Sequence, residues 1–357
     1  MTTKEQTKIG KQELPWVESS APSNIALIKY MGKVDSRSGS HTATQSALTN
    51  AATVTEYSRN RPTNSSLSWT LQHLRTFVRV RPLQSEDAEA DVWQPFVRSD
   101  LLVMELTEFG LAKYLNFFAE LKKEFKLKGF FEIESGNNFP ADAGLASSAS
   151  SFAALTMVAH EVYKKNGGQS VYTAKELAKI SQKGSGSSCR SFFKTWSLWH
   201  QTGAEGINLP FENLHHLVII CDDKKKAVTS SEAHSRVLTS DMFRGRPERA
   251  EERLQSLITH MRAKNWKQCF HLCWNEFWDM HNLFHTSNPP FVYMSDQTMK
   301  ALNSLLKFWQ QYDDGPLITM DAGSHIHLLF RVDQLELKQN IETAFASHFK
   351  IWTDKTL

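Results

Sequence analysis

Long apolar runs are missing from this chain. No window reaches the roughly 18 uninterrupted apolar residues that a membrane-spanning helix needs, so no span of that kind is expected. Charge of one sign is missing as well: 41 Lys and Arg against 38 Asp and Glu leave a net charge of +3 with His neutral. That balance creates no broad positive field for nucleic acid, and the basic runs, Lys122-Lys123 and Lys224-Lys225-Lys226, are short. Cysteine is scarce. Cys189, Cys221, Cys269 and Cys273 have no framework spacing, which argues against a disulfide scaffold and fits a reduced, cytoplasmic protein. The polar, lysine-containing segment 1–14 has no apolar centre, so it reads as a loose leader and not a secretory signal. Internal repeats, low-complexity tracts and the Gly-Lys-Ser/Thr of the usual P-loop are also absent.

What is present is ordinary for a globular chain: 41% hydrophobic and 22% charged residues, over a length sufficient for two domains. Apolar patterning predicts strands over 23–30, 51–57, 74–80, 129–134, 214–221, 316–320 and 326–331. Helical spacing places Leu111, Leu115, Phe118 and Leu121 on one face, and Phe152, Leu155, Ala159 and Val162 on another. Further helices are expected over 174–182, from Glu248 through 266–284, and over 296–311. The stretch 36–49 reads as a loop or irregular edge, 61–66 as a hydroxyl-rich turn, and 84–91 as an exposed excursion. Cys269 and Cys273 lie one helical turn apart, as do His281 and His285. Convergence of the pairs would make a zinc site; otherwise they are core or groove residues of an aromatic-rich helical run.

Several stretches could carry chemistry. Between a strand and a helix, 137–148 bends at Pro140 and Gly144 and reaches Ser147 and Ser148 at the helix start. Unpaired N–H groups and the positive end of the helix dipole there suit an anion, phosphate above all; the plainer reading is an N-capped helix. Lys29 and Lys33 flank a tight turn and could grip an anion, or be two surface lysines. The loop 183–190 sets glycines and serines beside Arg190, which suits a phosphate or carboxylate, or forms a flexible turn. Asp321, at a strand end before Gly323, is either an Asx-turn residue or a carboxylate held rigidly beside a ligand.

Taken together and in order, these pieces resemble a known family. Pro140-Ala-Asp-Ala-Gly144-Leu-Ala-Ser147-Ser148-Ala is similar to the phosphate loop of the GHMP small-molecule kinase superfamily. Asn24-Ile-Ala-Leu-Ile-Lys29-Tyr30-Met-Gly32-Lys33, Pro62-Thr-Asn-Ser-Ser-Leu-Ser68, Gly184-Ser-Gly-Ser-Ser-Cys-Arg190-Ser191 and Asp321-Ala-Gly323 narrow the resemblance to mevalonate diphosphate decarboxylases, over nearly the whole chain. The resemblance implies an α+β GHMP kinase fold. Residues 15–205 would form an N-terminal, nucleotide-binding domain like domain 2 of ribosomal protein S5, and 206–357 a C-terminal α/β-plait-like domain, with ATP and substrate meeting between them. It also implies a homodimer and a phosphorylated small-molecule substrate, with neither nucleic acid nor membrane as partner.

The implied reaction is ATP-dependent decarboxylation of mevalonate 5-diphosphate. Asp321 would orient or deprotonate the 3-hydroxyl, and Arg190 would hold the substrate carboxylate, with Ser185 and Ser187 nearby. Lys29 would be catalytic alongside Asp321 and Arg190; Lys29, Tyr30 and Lys33 would bind the diphosphate or close the site around it, and Ser230 and Ser231 would add a diphosphate contact. Asn138, Pro140, Gly144, Leu145, Ala146, Ser147 and Ser148 would hold ATP, with magnesium entering through its phosphates and Ser147 a candidate contact. Departures from the family pattern bear on substrate choice. Met31 stands where tryptophan is usual, 36–60 looks like an insertion, and Ser324-His325 replaces Pro-Asn. Asp142 sits in the phosphate loop where a neutral residue is usual, and either approaches magnesium or points to solvent. Alternatives are a decarboxylase of the 5-phosphate, a mevalonate 3-kinase, and a catalytically silent nucleotide-binding protein.

Overall fold

The structure is a computed structural model and describes residues 14–33, 60–84, 88–140, 147–222 and 226–353. The expected strand over 51–57, the stretch 36–49, most of the leader, and Asp142, Gly144, Leu145 and Ala146 lie outside the described residues.

The first sheet is built around two long antiparallel strands, β1 (Val17–Ile28) and β2 (Ser66–Pro82). β2 begins well before the expected 74–80, because Ser66, Ser68 and Thr70 are buried strand residues and not turn residues. Thr70 Oγ1 donates to the Phe193 carbonyl at 2.8 Å and Ser66 Oγ accepts from Arg190, while Ser68 Oγ is buried with no hydrogen-bond partner. On its other side β2 pairs with β4 (Phe131–Asn137), which carries β3 (Val92–Pro95) in parallel at the edge. Nearer its start β2 pairs with β5 (Trp196–His200), which turns back into β6 (Gly203–Gly206). Neither β3 nor this hairpin was expected; both are too short for a clear period-two signal.

Three helices accompany this sheet: α1 (Glu108–Glu124), α2 (Ser147–Lys165) and α3 (Ala174–Gln182). The α1 stripe differs from the expected one. It buries Tyr114, Phe117, Phe118 and Leu121, while Leu111 and Leu115 stay half-exposed. Aromatic packing turns the helix: Tyr114 and Phe117 sit against Phe152 of α2, with centroids 5.7 and 5.3 Å away. The stripe expected on α2 is buried as a whole, and α2 packs on β1 and β2.

The second half runs β7 (His215–Ile220), α4 (Ser230–Arg236), α5 (Arg246–Arg262), α6 (Trp266–His285), α7 (Asp296–Tyr312), β8 (Leu317–Thr319), β9 (Ile326–Phe330), α8 (Leu335–Ala346) and β10 (Lys350–Thr353). Its sheet has the order β10-β7-β9-β8, all antiparallel. With helices grouped beside two separate sheets, the architecture is α+β. The aromatic run of α6 is mostly core, and Phe270 stacks on Trp309 of α7 at 4.0 Å. Trp274 and Trp278 are the half-exposed exceptions. Cys269 and Cys273 are buried in that core, and no group of three or more His, Cys, Asp or Glu is placed to hold a metal among the described residues. No helix among them is long and apolar enough to cross a membrane.

The two sheets share one apolar cluster, in which Ile25, Leu67 and Trp69 meet Leu217, Phe277 and Leu328. Polar contacts cross the same seam: Thr319 Oγ1 donates to the Ala26 carbonyl at 3.1 Å, and His73, His216 and His327 form a chain with spacings of 3.1 and 3.0 Å. This seam brings the end of β1 against the β8–β9 turn.

Candidate active site

Lys29 is the first residue after β1, and its side chain is 2% exposed. Its ammonium lies 2.5 Å from Asp321 Oδ1, in the turn between β8 and β9, 292 residues later in the chain. Burial alone would push the Asp321 carboxyl up, but the charges of Lys29, His327 and Arg190 together with the Lys29 hydrogen bond hold it below its ordinary value. Burial likewise pulls Lys29 down, with Asp321 opposing. The resulting pair is a carboxylate and an ammonium, each depending on the other for its charge.

The Asp321 turn is held from several sides. The N–H of Gly323 closes on the Asp321 carbonyl at 2.8 Å, and His281 Nε2 meets that carbonyl at 3.1 Å. A carbonyl only accepts, so Nε2 carries the proton. Lys226 donates to the Ala322 carbonyl. Ser324 and His325, the departures from the family pattern, are also used. The Ser324 carbonyl accepts from Thr298 Oγ1 at 3.0 Å, and His325 Nδ1 accepts from the N–H of Cys221 at 3.2 Å.

Arg190 sits on a 3-10 helix, Gly186–Phe192, where a flexible turn was the plainer expectation. It is 4% exposed, lies 5.8 Å from the centroid of the Trp199 ring, and donates from Nη1 to Ser66 Oγ at 3.1 Å. Its Nε is buried with no hydrogen-bond partner. A buried guanidinium donor left open is costly unless a ligand meets it, so this one is a candidate place for an anion. Ser185 and Ser187 share the segment, with their Oγ atoms 3.4 Å apart. Asn24 fixes it to β1, donating from Nδ2 to Ser191 Oγ at 2.8 Å.

Lys29 and Lys33 do not act as one grip. Lys33 goes to Asn60 Oδ1 at 2.9 Å, and Asn60 in turn donates to the carbonyls of Gln182 and Lys183. Tyr30 stacks on His234 of α4 at 4.5 Å and meets Trp199 edge-on at 4.5 Å. Burial pushes the Tyr30 hydroxyl up, so it stays protonated and can donate. His234 was not among the candidate residues. Its Nδ1 accepts from the Gly32 N–H at 3.1 Å, and burial plus the Lys33 and Arg190 charges push it down to about 3. Ser230 and Ser231 open the same helix and are exposed. Met31 is buried with Val228, Ala233 and Phe284, so the thioether fills a gap beside α4 and α6.

At the other end, α2 begins at Ser147, half-buried, with Ser148 exposed beside it. Pro140 is half-buried. Asn138 is engaged with β2: its Oδ1 accepts from the Arg75 N–H at 2.7 Å and its Nδ2 donates to the His73 carbonyl at 2.9 Å.

His234 and His281 also set an acid sensitivity. Both are buried and pushed down to about 3, His281 chiefly by burial, so each is neutral in the folded protein and takes up a proton on unfolding below about pH 6.5. Folded pKa values below the unfolded ones mean that this stability is complete above about pH 6.5 and is lost as pH falls toward 3. At pH 5 the loss is about 2 kcal/mol per histidine. Thermal melting at pH 7 and pH 5 should show a drop of several degrees. The drop should shrink in His234→Asn, whose carbonyl oxygen can replace Nδ1 as acceptor. An unchanged drop in that variant would remove His234 from the account.

Comparison with known proteins gives the family. A diphosphomevalonate decarboxylase-like N-terminal domain matches residues 21–208, and a mevalonate 5-diphosphate decarboxylase C-terminal domain matches 216–355. The diphosphomevalonate decarboxylase of Debaryomyces hansenii is 31% identical over 331 residues, covering 85% of this chain and 76% of its own length. The crystal structure of a mevalonate diphosphate decarboxylase from Legionella pneumophila superposes with a TM-score of 0.83 at 37% identity, covering 95% of this chain and 100% of that one. A second structure, MDDEF in complex with MVAPP, AMPPCP and magnesium, gives 0.75 at 27% identity, covering 94% of each chain.

Proposed function

Since this chain belongs to the diphosphomevalonate decarboxylase family, with its GHMP kinase fold, we propose that it converts mevalonate 5-diphosphate and ATP into isopentenyl diphosphate, ADP, phosphate and carbon dioxide. The observation that carries the reading is the buried Lys29–Asp321 pair in a site that also holds Arg190, with its open Nε.

A tertiary alcohol leaves poorly, so its oxygen is phosphorylated first. Asp321 accepts the hydrogen bond of the 3-hydroxyl and takes its proton as the phosphoryl group arrives. Its carboxyl is held low by Lys29, so its main service is orientation of the oxygen, with proton uptake late. Departure of phosphate then leaves positive charge at the tertiary carbon, and the carboxylate electrons collapse into the alkene as carbon dioxide leaves. Arg190 holds the carboxylate in line until that step, with Ser185 and Ser187 beside it. Tyr30, Lys33, Ser230 and Ser231 serve the 5-diphosphate. The α2 N-terminus, with Ser147, Ser148 and the loop from Asn138 and Pro140 through Gly144, Leu145 and Ala146, receives the ATP phosphates.

A magnesium ion would be carried on the ATP phosphates. Magnesium would neutralise the triphosphate, with Ser147 a candidate contact. We also take residues 15–205 and 206–357 as the two domains, although β6 reaches Gly206, and the protein as a cytoplasmic homodimer.

The test offers mevalonate, its 5-phosphate and its 5-diphosphate with Mg-ATP, and records ADP and carbon dioxide for each. Equal amounts of both products from the diphosphate are expected. ADP without carbon dioxide on every substrate would leave a kinase, and turnover of the 5-phosphate alone would reassign the substrate.

A further inference from the structure

The β1 ladder ends at the Ile28–Leu67 pair, so the backbone groups of Lys29 lie just beyond the sheet that delivers it. They are taken up largely from the other half of the molecule. The Lys29 N–H donates to Glu276 Oε1 of α6 at 2.9 Å, and the Lys29 carbonyl accepts from Arg246 Nη2, at the start of α5, at 3.2 Å. Arg246 and Glu276 are bonded to each other, and both side chains are 0% exposed. Asn64 Nδ2 gives the same carbonyl a second donor at 2.9 Å. Arg253 holds Glu276 Oε2 at 2.9 Å from the outer side.

A buried ion pair is a poor way to gain stability, because apolar residues of similar volume often do as well or better. Its geometry here points elsewhere. The helix that presents Glu276 to the Lys29 N–H also presents His281 to the Asp321 carbonyl. One rigid helix therefore holds the backbone on both sides of the 2.5 Å Lys29–Asp321 contact.

We propose that Glu276, locked by Arg246, is a positioning residue that sets Lys29 against Asp321 across the two halves of the molecule. This rests on the reading of Lys29 and Asp321 as catalytic. Catalysis by orientation is sensitive to placement, and a shift of about 1 Å can cost about a hundredfold in rate.

The test is the double variant Arg246→Met/Glu276→Leu, which removes both charges together, made in the wild type and in Lys29→Met. In the wild-type background, kcat for carbon dioxide release should fall about 30- to 100-fold, with the KM for ATP within about twofold and a cooperative melt retained. In the Lys29→Met background the double variant should cause no further fall. An unchanged kcat in the folded double variant overturns the proposal. So does an equal fall in both backgrounds, which is the mark of general damage. Lys29→Met turning over at the wild-type rate is a separate outcome: it removes the catalytic role of Lys29, and this proposal with it. If the double variant does not fold, Arg246→Gln leaves Glu276 paired with Arg253. It should lose about fivefold in kcat in the wild-type background alone, and no loss there overturns the proposal.

Discussion

Asp321→Asn should lower carbon dioxide release by about a thousandfold or more while nucleotide affinity stays within about twofold. Asparagine keeps the shape and leaves Oδ1 as an acceptor for Lys29, so the β8–β9 turn, held through backbone groups by Gly323 and His281, has no reason to move. What disappears is the charge proposed to orient the hydroxyl and receive its proton, a contribution of about 10²–10⁴ in rate. Loss of the carboxylate also leaves the buried Lys29 ammonium without its main counter-charge, which adds to the effect. Product assays with Mg-ATP, paired with equilibrium binding of a non-hydrolysable nucleotide, read the two quantities separately. Carbon dioxide release near the wild-type rate would take Asp321 out of the mechanism. The wild-type carboxyl sits below its ordinary value, so it remains ionised throughout the neutral range, and an acid limb above about pH 5 should come from other groups.

For Arg190→Gln the expected loss is about 10²- to 10³-fold in kcat/KM for decarboxylation. Losing one member of a buried, hydrogen-bonded charge pair costs about 2–5 kcal/mol, and about 1.4 kcal/mol is tenfold. The glutamine can still bond Ser66 Oγ, so the segment Gly186–Phe192 should keep its place beside β2. The open Nε, the donor assigned to the substrate carboxylate, is lost. Arg190→Lys should rescue little, since a point charge cannot reproduce the planar, two-pronged contact. The ratio of carbon dioxide to ADP is the decisive reading. A variant that loses grip on the carboxylate should release ADP in excess, and an unchanged ratio at an unchanged rate would place the carboxylate elsewhere.

Much of the site was legible because its pieces are local. Lys29, Tyr30 and Lys33 share one strand end, Ser185, Ser187 and Arg190 one short segment, and Asp321 one hairpin turn. Each segment advertises itself through residue types that turns and ligand contacts require. The helix over 174–182 was legible for the same reason: Thr173 caps it, and Glu176 completes the capping box. The α1 stripe was misplaced because Leu111 and Leu115 satisfy the helical period as well as Tyr114 and Phe117 do. Only the position of Phe152 decides between them. His281 was noticed for its spacing to His285, which suggests metal, whereas its partner is a carbonyl 40 residues farther along.

By itself, then, the amino-acid order determined most of the longer elements, the ordered set of segments suited to an anion, and the family they resemble. Those properties depend on side-chain period, turn residues and motif spacing, all contained within a few turns of chain. Tertiary structure alone decided that Lys29 pairs with Asp321, that Lys33 bonds Asn60, that Tyr30 stacks on His234, and that Glu276 and Arg246 grip the lysine backbone. The last of these joins residues 247 and 217 positions apart, and no local pattern marks either one. Burial supplies the reason: once β1 runs out of ladder inside the molecule, its next N–H and C=O must find partners, and the packed second half holds the partner of the N–H and, beside Asn64, a donor for the carbonyl.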